Sequence, residues 1–354
     1  MPRGNERLDP QAPQDVEVPI KRPHRLFFAA TALTLALLAV AFVPELLGSE
    51  VRRALAGLSS ARPIWLWLAG FCFLCSLVGT ASAWRSAIGL VGGRIGRLDA
   101  GARYGIGSLI NSFAPARLGD VARLALFSRA LGSDERLWQA GGSFMVIGVA
   151  RALVLALLIG AGSIAGALPL WPLLVLIGLT GGAALAAVTT RSRTAGTHVA
   201  HLLDAFRMLG REPKRGARLV AWIGFATMAR LGAAASIAAA LGVRSPLIAA
   251  ALVVPALDLS GAIPLTPGNV GLASGAVAIA LRADGVGLTT ALTTGIAFHA
   301  VETVVGIAFG LASVLFLAPF SSVGARRRTT LAVGAATCAV LVGAFGATVL
   351  VDLV

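Results

Sequence analysis

The residues best placed to do chemistry lie in one stretch, Asn111-Ser-Phe-Ala-Pro115-Ala-Arg117-Leu-Gly119-Asp120-Val-Ala-Arg123. Pro115 and Gly119 break a helix here. A break frees backbone N–H groups and gathers the positive end of a helix dipole. Arg117 and Arg123 add fixed charge, and Asp120 can hold one arginine in place or cap the outgoing half-helix. The set suits an anion such as a phosphate, with Arg117 the leading candidate. The plainer reading is that Asn111 and Asp120 satisfy broken backbone while the arginines sit at a lipid interface, Arg123 simply solvated.

A second break lies at Thr266-Pro267-Gly268-Asn269-Val-Gly271. Thr266 is suited to an N-cap and Pro267 to the first helical position. Asn269 could donate to a headgroup, whereas Pro267, Gly268 and Gly271 act through conformation. Charged groups also interrupt apolar runs, as Arg151, Arg230, Asp258 and Glu302. An ionisable group among apolar spans faces a polar cavity or a partner, because facing lipid costs several kcal/mol. Arg151 with Glu302, and Arg230 with Asp258, are the expected pairs. His299 and Glu302 are three apart, so they share a helix face. They are read either as a structural ion-pair lock or as a gated charge in a substrate path, His299 and Glu302 carrying a proton. Cys72 and Cys75 lie in an apolar run without nearby ligands and read as packing residues. No cofactor or metal is implied, and no phosphate-cradling loop, zinc signature or nucleophile elbow marks an enzyme.

The elements that position these residues follow from composition. Of 354 residues, 57% are hydrophobic and 13% charged, about half the charge a soluble domain carries. That excludes a soluble enzyme, a disordered chain and a disulfide scaffold. The net charge of +14 comes almost wholly from arginine. It fits a surface for anionic lipid headgroups better than nucleic acid, since the basic residues are interleaved with apolar runs.

Seven runs are long enough to span a bilayer: Leu26–Val43, Pro63–Trp84, Gln139–Ala167, Leu173–Thr190, Leu219–Leu241, Leu288–Leu317 and Leu331–Leu350. Two shorter elements, Tyr104–Ala116 and the broken Pro246–Leu281, read as re-entrant hairpins. The layout is a polar tail (1–25), a first span with an interfacial helix (26–62), a first repeat (63–190) and a basic loop (191–218). A second repeat (219–317) follows, then a basic loop and last span (318–354). Both hairpins carry P-x-x-x-G, at Pro115–Gly119 and Pro267–Gly271, and enter from opposite faces, as in an inverted-repeat transporter. With the N-terminus cytoplasmic, 23 basic residues fall inside and 5 outside, the asymmetry that sets orientation in a bacterial cell membrane.

The pattern N-x-x-x-P-x-R-x-G-D-x-x-R at Asn111–Arg123, the later Arg151, and P-x-x-P-G-x-x-G at Pro264–Gly271 resemble the flippase-like membrane region of lysylphosphatidylglycerol synthases. The resemblance runs from about Pro63 to Leu317. It implies a polytopic helical protein that moves a lipid between leaflets. Aminoacyl transfer in that family belongs to a separate soluble domain. This chain ends at Val354 directly after a span, which implies transport without synthesis. Where the family often has an Arg-Glu pair, this chain has Ala273 and Ser274, and a later family arginine corresponds to His299. The expectation is a translocase for a phospholipid or polyprenyl-phosphate-linked lipid with an anionic headgroup. The alternatives are an integral membrane transferase using Asp120, Asp258 or Glu302, and a non-transporting partner of a lipid-biosynthesis complex.

Overall fold

The structure is a computed structural model. It describes residues 61–113, 118–131, 136–164, 174, 177–178, 211–260 and 270–317, all within the compact unit Pro44–Val354. The expected spans Leu26–Val43 and Leu331–Leu350 lie outside the described residues, as do nearly all of Leu173–Thr190 and residues 191–210 of the basic loop.

Among the described residues there are eight helices. They are α1 (Pro63–Leu90), α2 (Arg97–Phe113), α3 (Leu118–Ser128), α4 (Arg136–Ile164), α5 (Pro213–Ala240), α6 (Pro246–Ser260), α7 (Val270–Ala283) and α8 (Leu288–Leu317). Four of them, α1, α4, α5 and α8, are long and apolar enough to cross a membrane. At 28 residues, α1 is about 42 Å long at 1.5 Å per residue, more than the ~30 Å hydrocarbon layer. The 17 residues of α2 reach only about 26 Å. Order and lengths repeat: long, short, short, long in α1–α4, and again in α5–α8.

Local sequence explains the helix ends. Pro63 and Pro213 occupy the first turn of α1 and α5, where a missing N–H costs nothing. Gly92 and Gly242 follow these helices with φ +87° and +71°, a left-handed geometry that favours glycine. Beyond each, an N–H reaches back to a last-turn carbonyl, Gly93 to Ile88 and Val243 to Ala238. Gly285 (φ +82°) closes α7 in the same way.

Several boundaries differ from expectation, α2 starting at Arg97 rather than Tyr104 and α4 at Arg136 rather than Gln139. The helix expected to stop at Trp84 continues through Arg85 to Leu90, because Arg85 Nε donates to the Ile95 carbonyl at 2.8 Å and the charge folds back onto the chain. The helix expected from Leu219 starts at Pro213, since Arg215 pairs with Glu212 (2.7 Å) and donates to the Gly89 carbonyl (3.0 Å).

Helices α1 and α5 form the central pair and run antiparallel along their whole length. The Arg62 N–H donates to the Ala240 carbonyl at one end, and Arg215 meets Gly89 at the other. Between them, a Cβ on Gly79 would lie 2.9 Å from the Phe225 ring, and one on Gly232 would lie 3.2 Å from Cys72 Sγ. Close approach of this kind lets dispersion hold helices together where lipid removes the hydrophobic drive. Cys72 is a packing residue, as expected. Each end of the pair carries one apolar core. The first gathers Trp84, Ile88, Phe127, Val146 and Ile223 from α1–α5. The second gathers Phe73, Ile237, Val253, Leu281 and Phe298 from α1 and α5–α8.

Outward faces are apolar, with Ile64, Phe71, Leu157 and Leu315 exposed. Inward positions hold hydroxyls that donate to the carbonyl four residues back, including Thr227 to Ile223 and Ser236 to Gly232. This inside-out distribution suits lipid rather than water, because among the described residues the buried hydroxyls other than Ser274 are satisfied within their own helices. The chain is a multi-pass helical membrane protein.

Candidate functional site

Between the two apolar cores lies a polar waist. A cavity of about 100 Å³ is lined by residues near the centres of the four long helices: Ser76 and Thr80 of α1, Arg151 of α4, Thr227 and Arg230 of α5, and Glu302 of α8. Tyr104 of α2 and Asp258, near the C-terminal end of α6, complete its polar wall. Pro255 lies inside α6, one turn before Asp258. A proline there withholds one helical hydrogen bond.

Four charges meet in this cavity. Asp258 Oδ1 accepts from Arg151 Nη2 at 2.6 Å and from Arg230 Nη1 at 2.9 Å. Arg230 Nη2 also pairs with Glu302 Oε1 at 3.1 Å. The Arg230 guanidinium stands 5.8 Å from the Phe298 ring centroid, and its Nε is buried without an acceptor. Arg230 and Asp258 are sequestered, at 17% and 14% side-chain exposure. Arg151 and Glu302 are open, at 46% and 34%. The described part of the cluster is therefore electrically balanced, with a shielded inner pair and an accessible outer residue of each sign. Removing Arg230 or Asp258, the shielded pair, strands a charge and costs about 3–5 kcal/mol.

The expected pair Arg230–Asp258 is present. The expected pair Arg151–Glu302 is not: Arg151 turns to Asp258, and Glu302 to Arg230. The reason is positional. Helix α5 is central and carries Arg230 between α6 and α8, so it takes both carboxylates. Arg151 on α4 then meets the nearer one. His299 is half-buried on α8 one turn before Glu302 and does not line the cavity.

The first motif builds a second polar structure, a clip across α2 and α3. The Gly119 N–H, an orphan donor in the first turn of α3, donates to Asn111 Oδ1 at 2.7 Å. Asn111 Nδ2 donates to Asp120 Oδ1 (3.2 Å), which also takes Arg123 Nη1 (2.5 Å). Arg123 Nη2 donates to Ser108 Oγ at 2.8 Å. The Arg123 guanidinium covers the Tyr104 ring at 4.1 Å. Deeper in, Arg103 donates to the Leu126 carbonyl. Early residues of α2 meet late residues of α3, so the two helices form an antiparallel hairpin. A Cβ on Gly119 would collide with the Gly107 carbonyl oxygen, so the crossing requires glycine.

Arg123, read from the sequence as a charge for an anion or else as simply solvated, is only 12% exposed and spends its donors inside the hairpin. A guanidinium between two helices is held when it finds a carboxylate, a hydroxyl and a ring together. Asn111 accepts from backbone at the start of α3 and Asp120 holds Arg123, the plainer of the two readings of these residues. Pro115 and Arg117 lie outside the described residues, as do Pro267, Gly268 and Asn269. Gly271 falls in the first turn of α7.

Sequence reasoning missed Tyr104, which joins the two polar structures: its ring supports Arg123, and its side chain lines the waist. The available signal was its rarity, since the chain has one tyrosine, two helical turns before Asn111. Among the described residues, no group of three His, Cys, Asp or Glu side chains could hold a metal ion.

The family described as the lysylphosphatidylglycerol synthase TM region matches residues 27–310, and the chain belongs to that family. No curated protein matches it.

Proposed function

We propose that this member of the lysylphosphatidylglycerol synthase TM region family moves a lipid between the leaflets of a bacterial cell membrane, without catalysing a reaction. The headgroup, of a phospholipid or a polyprenyl-phosphate-linked lipid, passes through the waist while the tails remain in the bilayer. The observation that carries this reading is the polar cavity lined by the centres of all four long helices. Ionisable groups at that depth are expensive unless they serve a path through the membrane. The duplicated long-short-short-long order and the antiparallel α1–α5 pair support a second element: α2–α3 and α6–α7 as re-entrant hairpins of an inverted repeat. Transporters of that construction hold substrate near the bilayer midplane, at broken helices. The basic-residue asymmetry supports a cytoplasmic N-terminus.

The test is to purify the protein, identify co-purified lipid by mass spectrometry, and measure leaflet exchange of that lipid in liposomes. Exchange above protein-free liposomes is expected, with loss of exchange in Arg117→Gln at unchanged expression. A chemically altered headgroup would favour a transferase. Exchange at the protein-free rate, with hairpin arginines tolerant of mutation, would favour a non-transporting partner.

A further inference from the structure

The balance of charge in the waist narrows the headgroup. We infer that the cavity selects a compact, dipolar, net-neutral phospholipid headgroup of the phosphoethanolamine kind, its phosphate against Arg151 and its ammonium against Glu302. This inference rests on the carrier reading above and adds substrate class to it.

Three observations carry it. First, the described cavity holds two arginines and two carboxylates, and each carboxylate is engaged. A net-anionic headgroup would bring in a charge with no counterpart, in a medium that screens weakly. A headgroup with one charge of each sign leaves the sum at zero. Second, the inner pair Arg230–Asp258 is shielded, whereas Arg151 and Glu302 are the exposed members, each with one ion pair given to that inner pair. A guanidinium keeps several N–H donors after one bond, and a carboxylate keeps lone pairs. The accessible wall thus offers donors at one place and acceptors at another. Arg151 and Glu302 also occupy equivalent central positions in α4 and α8, the last long helix of each repeat. The two halves present opposite charges from matching places, which a dipolar ligand satisfies and a singly charged one does not. Third, the cavity of about 100 Å³ is well below the roughly 300–1,000 Å³ of drug-sized sites. That suits phosphate plus a two-carbon amine and disfavours a sugar or aminoacyl extension.

The test compares dihexanoyl phosphatidylethanolamine with dihexanoyl phosphatidylglycerol, titrated into the full chain in detergent and read by the thermal unfolding midpoint. The ethanolamine lipid is expected to half-saturate at about tenfold lower concentration, the factor that corresponds to ~1.4 kcal/mol. Glu302→Gln should erase the preference and Glu302→Asp should keep it. The wild-type comparison stands whether or not a variant folds. Half-saturation by the glycerol lipid at equal or lower concentration, or no response to either lipid, overturns the inference. Leaflet exchange measured on the same preparation separates this inference from the carrier reading. A preference without exchange supports the headgroup assignment and removes the carrier. Exchange without a preference removes the headgroup assignment alone.

Discussion

The two short-helix pairs hold equivalent places in the long-short-short-long order and are secured by different chemistry. In α2–α3 the bond is polar: Asn111, Asp120, Arg123 and Ser108 form a continuous chain of hydrogen bonds across the hairpin. In α6–α7 it is apolar, with Val253, Val254, Val277 and Leu281 fully buried. Asp258, the carboxylate of that pair, faces the waist rather than the partner helix. A repeated order of helix lengths does not require repeated chemistry. Charge serves the first hairpin as internal structure and the second as part of the cavity wall. The same divergence separates Arg151 from Glu302, whose matching positions carry opposite sign.

That contrast can be broken in order of effect. The largest loss is expected from Asp258→Asn, which takes the carboxylate from Arg151 and leaves the shielded Arg230 with Glu302 alone, at a cost of about 3–5 kcal/mol. The unfolding midpoint in detergent should fall sharply. Adding Arg151→Gln should cost little more, because the two side chains share one interaction. Full additivity would dissolve the shared network. Next come the two tight crossings. A Cβ at Gly119 meets the backbone of Gly107, and one at Gly295 lies 2.9 Å from Ser274 Cα. Gly119→Ala and Gly295→Ala should each lose up to about 3 kcal/mol. Gly148→Ala, with open space around it, should lose nothing.

The third pair of variants addresses the contrast itself. Arg123→Gln removes charged hydrogen bonds worth about 2 kcal/mol, and Leu281→Ala opens a void of similar cost. Amide hydrogen exchange should quicken in α2–α3 for the first and in α6–α7 for the second. Equal loosening of both hairpins by either change would show one cooperative unit rather than two separately secured ones. The smallest of the losses is expected from Arg151→Gln, under about 1 kcal/mol, because that side chain is half exposed and Arg230 still holds Asp258.

Much of this was legible before any coordinates. Apolar run length located all four long helices, and Leu288–Leu317 agrees to the residue. What periodicity could not supply was the pairing of charges, which depends on which helix lies at the centre. Nothing in the sequence states that α5 separates Arg151 from Glu302. The same gap hid the burial of Arg123: its partners Tyr104 and Ser108 are distant in the chain, and only the antiparallel fold of the hairpin brings them together.

The central claim is that the charged waist carries the headgroup across the bilayer. Arg151 is the cleanest probe, since its loss leaves the fold nearly intact. The direct measurement is the rate of leaflet exchange of an acyl-labelled phospholipid in liposomes holding equal amounts of wild-type protein and Arg151→Gln, with matched unfolding midpoints. A rate reduced at least about tenfold is predicted, the kinetic equivalent of losing one charged hydrogen bond. An unchanged rate would mean that lipid does not pass through this cavity.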